Sequence, residues 1–185
     1  MNNSILTSSI NQFKYYKSLG DKTFSQLEFE ELQKEFSEDS NSISIIVKHL
    51  VGNMLSRWTN FLTEDGEKTW RNRDKEFVAT YASKQELVEA WENGWNCLFK
   101  ALTSITENDL DKVIYIRNEA HTITEAIIRQ LAHYPYHVGQ IVFIGKLIKG
   151  NQWNSLSIAK GKSDEFNAKK ISEEESKRFL KDDLQ

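Results

Sequence analysis

An all-α four-helix bundle is the fold this sequence predicts, and three observations predict it. The 185 residues include one proline and eight glycines, too few breakers for the many turns of a β fold. Apolar residues recur mostly at intervals of three and four, the period of a helix with one buried face. Four such stretches are long enough to be principal helices, the longest running from about Ile123 to Ile148. A chain of this length buries a sizeable core without staples. We read residues 1–185 as one domain, with 168–185 as a flexible or short helical tail.

The first helix is expected from about Ser9 into the mid-twenties or thirties, using Ile10, Phe13, Tyr16, Leu19, Phe24 and Leu27, with Gly20-Asp21 as a point of interruption. The second follows Asp39-Ser40-Asn41-Ser42, a dense set of N-cap types, and runs from Ile43 to Leu62 with Ile46, Val47, Leu50, Met54, Trp58 and Phe61 on its core face. From Thr63 to Lys84 the periodicity dissolves into a long polar connection carrying Trp70, and long connections in compact domains are often functional. Ser83 caps the third helix, with Glu86 three residues on as a capping-box partner and Leu87, Trp91, Trp95, Leu98 and Leu102 as its buried stripe.

Val113-Ile114-Tyr115-Ile116 is β-branched and aromatic, Arg117-Asn118-Glu119 is turn-like, and Ala120-His121-Thr122-Ile123 returns as the second arm of a short β-hairpin. The fourth long helix then turns Ile127, Leu131, Val138, Ile141, Val142 and Leu147 to the core, with His133, His137 and Gln140 on a neighbouring face. Beyond Gly150 the chain is polar, and residues 169–185 form a short amphipathic helix on Ile171, Phe179 and Leu180 or a tail.

Composition removes several function classes. Net charge is −3, no electrostatic footprint for a polyanion, so nucleic acid is not an expected partner. The single cysteine, Cys97, has no internal disulfide partner and sits in an apolar helical stripe, which fits a reducing compartment. Met1-Asn2-Asn3-Ser4-Ile5 lacks the charged start and apolar stretch of a secretory signal, and no segment approaches the roughly 18 apolar residues that span a bilayer. A cytoplasmic protein with no membrane partner is the expectation. Gly161-Lys162-Ser163 superficially matches the end of a phosphate-binding loop, but Leu156 stands where the first glycine is required.

The chemistry concentrates on histidine. His133 and His137 lie four residues apart in one helix, so their imidazoles share a face and can bind one ion. His49, in the second helix, can complete a three-nitrogen face inside the bundle. Tyr134-Pro135-Tyr136 fills the gap between the pair, so the glutamate of a helical zinc-peptidase motif is absent and peptidase activity is not expected. Three neutral nitrogens leave a coordination position open, which suits a catalytic divalent ion, zinc first, with nickel or iron(II) as alternatives. Pro135 either aims the two imidazoles or disturbs their spacing. His121 is the least favoured ligand, being drawn off by the hairpin. Asn53 and Gln140 stand beside ligands on their helices and can orient imidazoles or substrate. Arg57, Arg71, Arg73 and Arg117 can clamp an anion, or are simply solvated charges.

Lys48-His49-Leu50-Val51-Gly52-Asn53 with Arg57-Trp58, and His133-Tyr134-Pro135-Tyr136-His137-Val138-Gly139-Gln140-Ile141, resemble the DinB-like superfamily of bacterial four-helix bundles, also called YfiT-like metal-dependent hydrolases. The resemblance extends from about Tyr15 to Asn167 and is closest to an uncharacterised branch. It implies a divalent metal on His49, His133 and His137, and relatives that are often dimers, so a homodimer is expected. Its characterised members include S-transferases and an isomerase that use low-molecular-weight thiols. Pro135 departs from the helix former expected there. The function expected is a metal-dependent small-molecule enzyme, a thiol S-transferase or hydrolase acting on a small-molecule substrate, with Asn53, Gln140 and Arg57 as groups that bind thiol or substrate. The alternative is a noncatalytic metal- or ligand-binding stress-response protein. No residue presents itself from sequence as a general base.

Overall fold

A computed structural model of the chain describes residues 4–78 and 81–172. The expected mostly helical architecture is present. Four long helices, α1 (Ile5–Phe24), α3 (Ile43–Trp58), α4 (Lys84–Thr103) and α5 (Ile123–Lys149), are joined by a one-turn helix α2 (Phe29–Leu32), the hairpin β1 (Val113–Ile116) and β2 (Glu119–Thr122), and a terminal helix α6 (Ser163–Ser172). No helix among the described residues is long and apolar enough to cross a membrane.

Each long helix starts on a side-chain cap. Ser4, Ser42, Ser83 and Thr122 accept the backbone N–H of Thr7, Ile45, Glu86 and Glu125, filling donors that the helix geometry leaves unpaired. The box expected at Ser83 closes one residue early, because the Glu86 carboxylate takes the N–H of Ala82 at 2.6 Å. A reciprocal box forms instead at α5, between Thr122 and Glu125.

Helix α3 packs chiefly against α4, and α1 against α5, while α3 and α5 also meet each other. Their shared core centres on aromatic rings. Phe13 of α1, Trp95 of α4 and Tyr134 of α5 touch at centroid distances of 5.8–6.3 Å, with Trp91 against Trp95 at 5.3 Å. Such tilted and edge-on pairs add about 0.5–1.5 kcal/mol each beyond the area they bury.

Gly20-Asp21 does not interrupt α1, and the first helix stops at Phe24. The pair seats Trp91: a Cβ on Gly20 would lie 2.5 Å from the indole ring, and Asp21 accepts the indole N–H at 2.8 Å. Helix α3 ends at Trp58, earlier than expected, yet Phe61 still folds back into the core at 5 % exposure. In α5, Tyr134 is fully buried whereas Leu147, expected inside, is 53 % exposed. Pro135 lies within one continuous helix. The terminal helix begins earlier than expected and buries no residue, and Phe179 and Leu180 lie outside the described residues.

The hairpin forms as expected, with the second strand one residue earlier. Arg117 and Asn118 take φ of 56° and 61°, the left-handed pair that a two-residue hairpin loop requires. Asp65 stabilises that turn by accepting the N–H of Arg117 and of Asn118 at 2.8 and 2.7 Å. The Gly66 N–H meets the Tyr115 carbonyl at 2.8 Å, and buried Ser56 of α3 donates to the Gly66 carbonyl at 2.8 Å. These bonds tie the connection after α3 to both the hairpin and the bundle, and that connection delivers the next part of the site.

Candidate metal centre

His49 of α3 and the His133–His137 pair of α5 converge. One ring nitrogen from each lies within 4.8 Å of the others, and the Nε2 atoms of His49 and His133 are 3.3 Å apart. Rings of His133 and His137 sit 4.8 Å apart, so the one-turn spacing survives Pro135. His121 lies in β2, outside the cluster.

Every histidine of the cluster has its other nitrogen occupied by an oxygen. His49 Nδ1 meets Glu76 Oε2 at 3.0 Å, His133 Nδ1 meets Gln130 Oε1 at 3.2 Å, and His137 Nδ1 meets Gln140 Oε1 at 2.9 Å. A carboxylate or amide oxygen only accepts, so each Nδ1 carries the hydrogen and donates it. Each Nε2 is thereby left with its lone pair for the cluster, where the three ligand nitrogens lie close enough together to share one cation. This is the outer support that metal-bound histidines ordinarily show.

Burial favours the neutral form of His133 and His137. Desolvation, followed by the neighbouring His137, His49, Arg57 and Arg71, pushes His133 down to about 3. His137 is lowered as well, mainly by burial, against the opposing bond to Gln140. A metal needs unprotonated nitrogens, so the donor set fits a borderline transition ion better than a hard one.

Glu76 is the functional residue that sequence reasoning missed. It lies on a short 3-10 turn, Asp74–Phe77, and is 5 % exposed. Its carboxylate also receives Arg71 Nε and Nη2 at 2.7 and 3.0 Å. Burial, the largest single influence, favours its neutral form, but the bonds from His49 and Arg71 outweigh it and hold the group below the usual carboxylate range. Gly52, one turn after His49, makes room: a Cβ there would run into the Glu76 carboxylate. Phe77 stacks on the His49 ring at 5.4 Å. A helix-interior glycine one turn from a candidate ligand, followed by a long polar connection with acid and arginine, was the available signal.

The remaining candidates take distinct places. Gln140 meets His137 through its amide oxygen, and Gln130, also not anticipated, does the same for His133. Asn53 turns Oδ1 to the Tyr134 hydroxyl, which donates at 3.0 Å and accepts the Trp58 indole N–H at 3.1 Å. It therefore supports the core beside the site and makes no bond to an imidazole. Arg57 and the Arg71 side chain are 3 % and 1 % exposed, not solvated charges, whereas Arg73 and Arg117 are nearly half exposed. A separate groove of about 620 Å³ opens between α3 and α4, lined by Leu55, Trp58, Thr59, Cys97 and Lys100, and none of the three histidines lines it.

Comparison with solved structures finds a similar fold in the crystal structure of the conserved protein of locus from Enterococcus faecalis. The TM-score is 0.63 at 18 % identity, over 80 % of this chain and 98 % of that one. No curated protein matches the chain. The family model described as "Protein of unknown function (DUF1572)" matches residues 1–162, and the chain belongs to that family.

Proposed function

We propose that the protein is a metal-dependent enzyme of DinB-like type that acts on a small molecule by thiol transfer or hydrolysis. The observation that carries this reading is the oxygen partner on each Nδ1, which leaves the three Nε2 atoms as the nitrogens offered to an ion. His49, His133 and His137 would hold one divalent transition ion, with zinc the best match and nickel or iron(II) next. An ion on three neutral nitrogens supplies Lewis acidity that lowers the pKa of a thiol or water beside it.

The chain's own residues contribute the rest. Glu76, Gln130 and Gln140 fix the tautomer and direction of the three rings. Glu76 is the buried carboxylate nearest the cluster, and its ion pair with Arg71 keeps it ionised. That pairing favours a positioning role over general-base work, because a base must release its partners to take a proton.

Cobalt substitution tests the thiol branch. A cobalt-loaded sample given a low-molecular-weight thiol is expected to gain a sulfur-to-metal charge-transfer band that disappears in His49→Ala. A spectrum unchanged across a panel of thiols removes thiol transfer and leaves hydrolysis. A metal that stays closed to thiol, water exchange and inhibitors alike favours the noncatalytic binding role.

A further inference from the structure

Two arginines lie buried beside the histidine cluster with hydrogen-bonding capacity unused. Arg57 is 3 % exposed, and neither its Nε nor its Nη1 meets an acceptor. Arg71 spends Nε and Nη2 on Glu76, but its Nη1 also lacks a hydrogen bond, the Glu67 carboxylate standing 3.8 Å away. Each guanidinium acts electrostatically on His133 and on Tyr134, and Arg71 acts on Arg57. All the groups therefore share one neighbourhood between α3, α5 and the connection after α3.

The local charges do not balance. Glu76 is the buried carboxylate, and Arg71 already claims it. Glu67 is one-quarter exposed and divided among Arg71, Arg73 and Arg117, and Asp65, whose charge also acts on Arg57, spends both oxygens on backbone N–H groups. Arg57 is left as a buried cation with no anion bonded to it, an arrangement that opposes folding unless something else is gained. Guanidinium groups present planar N–H donors that suit a carboxylate or phosphate, and unpartnered donors next to a candidate metal centre suit a ligand anion.

We propose that Arg57, assisted by the Nη1 of Arg71 that makes no hydrogen bond, binds an oxyanion group of the substrate, a carboxylate or phosphate, whose reacting end reaches the three histidines. The inference rests on the metal-site reading above and names the substrate class for it. Because the free N–H groups are closed to solvent, the oxyanion enters by displacing part of the connection that borders both arginines. Gly66 packs closely on Arg57 there, since a Cβ on it would lie 2.9 Å from Arg57 Nη1.

Calorimetric titration of metal-loaded protein with succinate and, separately, inorganic phosphate tests this, with metal content measured on the same samples. Wild-type protein is expected to bind at least one of them saturably, and the tighter one identifies the group. Arg57→Met should weaken that binding by about tenfold or more with metal content unchanged. Arg57→Lys, which keeps the charge without the planar set of N–H donors, should fall between. The methionine variant removes an unpaired buried charge, so its Tm should equal or exceed that of wild type, which separates lost binding from lost fold. Equal affinity in Arg57→Met, or no saturable binding of either anion by wild type, overturns the assignment. Loss of metal from wild type would defeat the three-histidine reading, while the dependence on Arg57 would still decide this one.

Discussion

Glu76→Gln isolates what the carboxylate does for His49. The amide oxygen can still accept the Nδ1 hydrogen that now goes to Glu76 at 3.0 Å, so the shape of the support persists while its charge is lost. Removing an outer partner of this kind costs about 10- to 100-fold in metal affinity, or about 1.4–2.7 kcal/mol. A second effect falls on Arg71, whose side chain is 1 % exposed and has Glu76 at 2.7 and 3.0 Å. Breaking a buried pair from one side costs about 3–5 kcal/mol, and the low end applies because the amide oxygen retains one bond. The metal-free variant should therefore unfold at lower urea than wild type, and its zinc affinity should drop when measured by competition with a chromophoric chelator. Adding Arg71→Met should restore much of the stability, since the stranded cation is gone, without restoring affinity. Zinc affinity in Glu76→Gln within about twofold of wild type would refute the reasoning, because an outer carboxylate that orients a ligand does not come so cheaply.

Three further outcomes follow from the same geometry. His137→Ala should lose metal on dialysis against a mild chelator while His121→Ala retains it, as elemental analysis will show; equal retention in both would remove His137 from the site. Gly52→Ala should lower zinc affinity by about tenfold, because the added methyl displaces the Glu76 carboxylate, even though alanine favours the helix by about 1 kcal/mol; wild-type affinity in the chelator competition would show that Glu76 is not needed where it stands. Metal occupancy should persist below the ordinary histidine range as pH falls. Burial holds His133 at about 3 and lowers His137, so protons compete weakly for those nitrogens. The metal-free protein has the same sign: these rings bind protons more readily unfolded, so their contribution to stability is present above about pH 6.5 and declines as pH falls toward the folded value. Release already complete at pH 6, measured with a zinc-sensitive dye, would contradict this.

The fold was legible where periodicity carries it. Ser42, Ser83, the aromatic stripe of α4 and the hairpin before the last long helix all follow from local chemistry, and so does the pairing of His133 with His137 one turn apart. Recruitment of His49 needed only that two apolar helices meet. Other features depend on tertiary neighbours. Gly20-Asp21 has the look of a breaker, yet across from it sits Trp91, whose ring needs the missing Cβ and whose N–H needs the carboxylate. Glu76 reaches the site through a non-helical connection whose path is set by Asp65, Gly66 and Ser56. Burial of Arg57 and Arg71 is likewise invisible locally, because an arginine stem can cover apolar surface while its head stays wet. Only packing decides that here the head is enclosed.

X-ray absorption at the zinc edge, on protein loaded with one equivalent of zinc and dialysed, tests the central claim most directly. Three imidazole nitrogens at about 2.0–2.1 Å, reduced to two in His49→Ala, are the predicted result. Protein that retains no zinc, or a shell of oxygens with fewer than two imidazoles, would contradict a metal centre on His49, His133 and His137.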